Sequence, residues 1–135
     1  MTNVFEILTI HSDKKALGKV EEFLFRVFEK YRLPQKCFNK VLLCVSEAVV
    51  NSIEHGNKND LQKEVVIQIK CKNDNLCVEV RDEGDGFNFQ NLDNPTLVEN
   101  IKKETGRGIH IMKSLCTQVK FRNEGTCVQI KIDLQ

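Results

Sequence analysis

Four short stretches of this sequence carry residue types and spacings that could do chemistry. In SEAVVNSIEHGN (46–57), Glu47, Asn51 and Glu54 are spaced by four and three residues, which brings them to one face of a helix with His55 at its edge. A carboxylate and an amide oxygen one turn apart suit a proton acceptor beside a ligand for a hard cation such as Mg2+. A solvated helix face would show the same spacing, and E-x-x-x-N alone is a short motif. In RDEGDGF (81–87), Asp82 has the parity of Leu76, Val78 and Val80, so it faces the covered side of a sheet where its strand stops. A buried carboxylate needs a partner. Thr126 has the parity of Val128, Ile130 and Ile132 and faces the same side. Gly84 and Gly86 occupy the offsets where a calcium loop would need oxygen ligands, which disfavours calcium. Glycines there instead let backbone pass close against a flat ligand. Glu83 is expected to be solvated, and Asp85 receives no role. In TGRGIHIM (105–112), Gly106 and Gly108 bracket Arg107 just before a helix, where free N–H groups and a guanidinium could meet phosphate; a flexible hinge would look alike.

The elements that must position these residues follow from periodicity. NVFEILTI (3–10) reads as a strand, and Ser12 or Asp13 can cap a helix with apolar positions Ala16, Leu17, Val20, Phe23, Leu24, Val27, Phe28 and Tyr31. Pro34 breaks the chain before a second helix, 35–55, with Val41, Leu42, Val45, Ala48, Val49, Ser52 and Ile53 turned to the core and Gly56 placed as its C-cap. Alternation in KEVVIQIKC and around Val78, with KNDN between, predicts a hairpin. A polar stretch follows, long enough to be a lid or binding loop. A helix over 107–115 and a terminal hairpin, 117–122 with 126–134, close the sequence. Helices and strands do not alternate as in a doubly wound fold. The expected class is an α+β two-layer sandwich, its mixed, mainly antiparallel sheet covered on one face by helices, with 1–135 as a single domain.

Bulk properties narrow the function. A net charge of +1 gives no general electrostatic footprint for nucleic acid or an anionic membrane. No apolar run reaches transmembrane length and the first residues lack a signal-peptide pattern, so a cytoplasmic protein is expected. Six cysteines without a C-x-x-C pair are expected as core or near-core thiols rather than zinc ligands.

Taken together and in this order, the motifs resemble the nucleotide-binding fold shared by DNA gyrase, Hsp90, sensor histidine kinases and MutL. Within it they resemble most closely the bacterial anti-sigma factor serine/threonine kinases. SEAVVNSIEHGN is similar to the N-box, RDEGDGF to the first glycine box, TGRGIHIM to the second, and EGT (124–126) to the terminal hairpin, so the resemblance covers nearly the whole chain. It implies an ATP- and Mg2+-dependent kinase with Glu47 as general base, Asn51 holding Mg2+, and Asp82 accepting from the adenine amino group with help from Thr126. Gly84 and Gly86 would pass beside the base. Gly106, Arg107, Gly108 and Ile109 would meet the nucleotide, with 88–105 as lid. His55 is expected in a structural or lid contact, and Ser52 stands where the family commonly carries a smaller residue. The implied partners are a sigma factor and a small antagonist protein that carries the target serine; a homodimer is compatible. The sequence shows no phosphoacceptor-histidine helix pair, which argues against a complete sensor kinase. Two other readings are a nucleotide-gated partner-binding module without kinase activity, kept open by the lean KKETGRG lid although Glu47 favours the enzyme, and an interaction domain that binds no nucleotide, which Asp82 and both glycine boxes disfavour.

Overall fold

A computed structural model describes residues 4–84, 115–122 and 126–135. The strict alternation in the sequence becomes five strands: β1 (Val4–His11), β2 (Glu64–Lys72), β3 (Asn75–Arg81), β4 (Gln118–Arg122) and β5 (Cys127–Asp133). They form one sheet in the order β1-β2-β3-β5-β4, and every described pairing is antiparallel. The parallel component allowed for in the expected mixed sheet is absent from those pairings. β2 and β3 are joined through Asn73 and Asp74, both at positive φ (50° and 62°), the left-handed pair required by a tight hairpin turn with the twist of its strands.

Register turns parity into packing. Ile69 lies opposite Val78, Val78 opposite Ile130, and Ile130 opposite Val119, so one row of apolar side chains crosses four strands on the helix-covered face. On β1 that row is continued by Glu6, which is not left unpaired: its carboxylate accepts from Lys30 Nζ and Tyr31 Oη, each at 2.8 Å.

Two helices, α1 (Leu17–Lys30) and α2 (Phe38–Asn51), cover the sheet, each entered through a short 3-10 turn, Lys14–Ala16 and Gln35–Cys37. The anticipated N-terminal cap resolves to Asp13, whose side chain accepts from the Lys15 N–H at 3.0 Å. Val20, Phe23, Leu24, Val27 and Phe28 of α1 are buried, as their spacing of three and four residues requires. Phe28 meets Phe38 of α2 edge to face at 5.2 Å between ring centres. α2 buries Val41, Val45, Ala48 and Val49 against the sheet. No described helix is long and apolar enough to cross a membrane.

This layering separates two phenylalanines three residues apart. Phe28→Ala removes a fully buried ring and is expected to cost about 3–5 kcal/mol. Phe25→Ala, on the exposed side of the same helix, should cost less than about 1 kcal/mol. Urea unfolding of both variants checks the pair; equal losses would overturn the assigned face of α1.

Candidate functional site

The candidate residues gather where α2 ends. After Asn51 the helix widens into a π turn, Ser52–Gly56, closed by the Asn57 N–H donating to the Ser52 carbonyl at 2.8 Å. Wider turns of this kind recur at functional sites because they re-aim side chains that a regular helix would hold in phase. Glu47 is half-buried, and its carboxyl is pushed above the ordinary range, first by burial and then by the nearby Glu54 charge. Glu54 is itself ion-paired with Lys14, from the 3-10 turn before α1, and lies 3.7 Å from His55 Nε2. The regular helical wheel places Asn51 opposite the core, yet the residue is only 7% exposed, and its buried Oδ1 has no hydrogen-bond partner among the described residues. An acceptor buried without a donor costs free energy unless something outside the chain completes it.

The end of β3 arrives at the same place. The Asp82 N–H donates to the Thr126 carbonyl at 2.9 Å, extending the β3–β5 ladder by one step and placing those two residues side by side. The Asp82 carboxyl is half-buried, and desolvation pushes its pKa up; the Gly84 N–H (2.8 Å to Oδ1), the Lys63 charge and the Ser52 hydroxyl oppose that rise without cancelling it. Ser52 thus has its own task, since its side chain turns toward the carboxyl rather than only into the core.

Gly56 has a different reason from the one expected, and Gly84 has one in addition. Gly56 does not cap α2 in a left-handed conformation; the positive φ values come later, at Lys58 (53°) and Asn59 (60°). A Cβ on Gly56 would instead collide with the Asp82 carboxylate, coming within 2.7 Å of Oδ1. At Gly84 a Cβ would run into the Gly56 backbone carbonyl. Both are glycine because the chain packs against itself here, whatever else Gly84 admits.

Asn57, read in the sequence only as part of a turn, holds the junction together. It is buried; its Nδ2 donates to Ser12 Oγ (2.6 Å) and to the Glu64 carbonyl (2.9 Å), and its Oδ1 accepts from the Glu83 N–H (2.8 Å). One side chain therefore links the ends of β1, α2 and β3 to the start of β2. Glu83 is not merely solvated as expected: its carboxylate accepts from the Glu64 N–H at 2.7 Å. The only sequence signal for Asn57 is a polar amide directly after the helix-ending glycine.

Glu47, Asn51, His55, Asp82, Gly84 and Thr126 are thus placed around the π turn and the adjacent strand ends. Gly86, Gly106, Arg107, Gly108 and Ile109 lie outside the described residues, as do the expected lid and all but the last residue of the helix expected over 107–115.

The geometry sets the sign of two substitutions. Gly56→Ala should destabilise by about 1–3 kcal/mol, since a packed carboxylate must move aside. Asp82→Asn keeps an oxygen for the Gly84 N–H and removes the desolvated charge. The Asp82 pKa is raised on folding, so its contribution favours the fold below the unfolded-state pKa and is lost as pH rises through the folded-state pKa. Asp82→Asn should therefore raise the ligand-free melting temperature at neutral pH, with the gain fading below the ordinary carboxylate range. A lower melting temperature at neutral pH would contradict this.

Comparison with known proteins agrees with the fold. The sequence profile of the family described as histidine kinase-like ATPase domain matches residues 10–132. The chain is 33% identical over 87 residues to the serine-protein kinase RsbW of Bacillus subtilis, covering 60% of this chain and 54% of that protein. It is 36% identical over 95 residues to the anti-sigma F factor of Shouchella clausii, covering 67% of this chain and 65% of that protein. It therefore spans less than two thirds of the length of these curated relatives. Among solved structures, one of the RsbU and RsbW domains of a Mycobacterium tuberculosis protein superposes with a TM-score of 0.70 at 17% identity, over 97% of this chain and 32% of that one. The five-stranded antiparallel sheet, the two helices on one face and the profile match lead to one conclusion: this chain belongs to the histidine kinase-like ATPase domain family.

Proposed function

We propose that this protein is a cytoplasmic, ATP- and Mg2+-dependent protein serine kinase that acts as an anti-sigma factor, phosphorylating a small antagonist protein and binding a sigma factor. The names of its relatives support the class. The observation that carries the reading is Asn51, one helical turn after Glu47, whose buried Oδ1 has no partner among the described residues. An amide oxygen is a hard donor, and Mg2+ commonly takes one or two protein ligands beside water and substrate phosphates, so a single Asn51 oxygen fits that ion. When bound, Mg2+ supplies neutralisation of phosphate charge during transfer.

The remaining tasks fall to the chain's own side chains. Asp82 presents a desolvated acceptor for the adenine amino group, and Thr126 beside it supports that contact. Gly84 keeps the backbone beside the base free of a side chain. Glu47 accepts the proton of the attacking serine hydroxyl, and burial together with Glu54 raises its basicity toward that role. His55 sits at the edge of this group through Glu54. Gly86, Gly106, Arg107, Gly108 and Ile109 are proposed to complete the nucleotide contacts, on the resemblance of their motifs.

Incubation with radiolabelled ATP, Mg2+ and candidate antagonist proteins tests the reading. Glu47→Ala should keep ATP binding and lose transfer by about 10²–10⁴-fold. Transfer at the normal rate would remove Glu47 as base. Asp82→Asn should lose ATP affinity in calorimetry, and unchanged affinity would remove the adenine contact. Because the Glu47 pKa is raised, the rate should fall on acidification at a pH above the ordinary glutamate range, and Glu54→Gln should move that fall to lower pH.

A further inference from the structure

All six cysteines are free thiols, and their surroundings differ. Cys37 donates to the Leu134 carbonyl (3.6 Å) and Cys127 to the Glu79 carboxylate (3.2 Å), each an ordinary satisfied thiol. Cys71 and Cys77 occupy neighbouring register positions of the β2–β3 hairpin, opposite Leu76 and Lys70 respectively, and so face opposite sides of the sheet. Cys44 and Cys116 face each other. Their Sγ atoms are 3.1 Å apart although 72 residues separate them in sequence. Cys44 lies on α2 three residues before Glu47 and is fully buried; Cys116 lies between Leu115 and β4 and is half-buried, so solvent reaches the pair from its side.

Two sulfurs this close suggest either a metal or a disulfide. A structural zinc takes four ligands, and among the described residues no group of three or more His, Cys, Asp or Glu side chains could hold an ion. A disulfide requires the sulfurs to approach by a further ~1 Å. The Cys116 S–H donates to Cys44, and with the Lys40 ammonium it holds the Cys44 thiol below the ordinary range, while the same bond pushes Cys116 up. Cys44 is thus the one of the pair that ionises more readily, and the thiolate is the nucleophilic form.

We propose that Cys44 and Cys116 form a redox-active dithiol, a modification site that a hydroperoxide such as hydrogen peroxide converts to an intrachain disulfide. The Cys44 thiolate gives an electron pair to one peroxide oxygen; the O–O bond breaks, Cys44 becomes a sulfenic acid, and the other oxygen leaves and is protonated to water. Cys116 then attacks the sulfenic sulfur, its proton leaves with the hydroxyl as a second water, and the S–S bond forms. Two thiols lose two protons and two electrons, and the peroxide is reduced to two waters. The bond ties α2, one turn before Glu47, to the segment that enters β4. In a reducing compartment such a bond is transient and regulatory rather than structural. The inference rests on the thiol geometry and stands apart from the kinase reading.

Exposure of the full chain to hydrogen peroxide, alkylation of the remaining thiols, digestion and mass spectrometry test it. The expected result is loss of two of the six free thiols, a peptide pair joined through Cys44 and Cys116, recovery with dithiothreitol, and a higher melting temperature for the oxidised form. In Cys116→Ser, Cys44 should halt at a sulfenic acid that dimedone traps. Survival of all six thiols at peroxide levels that oxidise free cysteine would overturn the proposal. So would a first crosslink through any other cysteine. If Cys116→Ser does not fold, the crosslink map of the unaltered chain decides alone.

Discussion

The rest of the site depends on one close approach, that of the Asp82 carboxylate to bare backbone at Gly56. Neither Gly56 nor Gly84 tolerates a methyl group, because a Cβ on Gly56 would strike the carboxylate and one on Gly84 would strike the Gly56 carbonyl. The end of a helix and the end of a strand can meet this tightly only if the helix delivers its last turn at the right height. The π turn at Ser52–Gly56 does so, and Asn57 fixes the result by bonding to three other segments at once. Removing that amide would take one partner at once from the Ser12 hydroxyl, the Glu64 carbonyl and the Glu83 N–H, so the junction is cooperative.

This arrangement leaves two polar groups incompletely satisfied. Asp82 remains desolvated beyond what Gly84, Lys63 and Ser52 offset, and Asn51 Oδ1 has no donor among the described residues. A fold selected for stability alone would relieve both. Their neighbours are already held by backbone bonds, so a ligand that supplied a donor to one and a cation to the other would meet acceptors fixed in advance. Glu47 shares this character, its carboxyl raised by burial and by the Glu54 charge.

Much of this was legible in the sequence wherever one physical rule dominated. Period-two alternation gave the inward rows of β2, β3 and β5, and with them the inward placement of Asp82 at a strand end. Spacings of three and four gave the buried stripe of α1. The failures share a cause. A helical wheel reports angle alone, so it sets Asn51 opposite the core stripe, although the residue is buried at the end of α2. Gly56 looked like a left-handed cap because that is the common local reason for a glycine after a helix. Its actual reason is a contact with a residue far along the chain. Asn57 and Glu83 were underread likewise, since a turn residue bonding three strands and an acid bonding a distant N–H are tertiary facts with no local periodicity.

The strand order carries a consequence for how the molecule assembles. β2 and β3 are joined by a two-residue turn, a loop whose closure costs little entropy, whereas β5 must insert between β3 and β4. Pairing Arg81 with Cys127 brings together residues separated by a long intervening segment, the kind of non-local contact that slows folding. The hairpin and its helices can therefore consolidate first. The Asp82–Thr126 bond, which needs β5 in place, then becomes a late event. The edge where β3 and β5 meet at Asp82 and Thr126 is in this sense the seam along which the fold closes last.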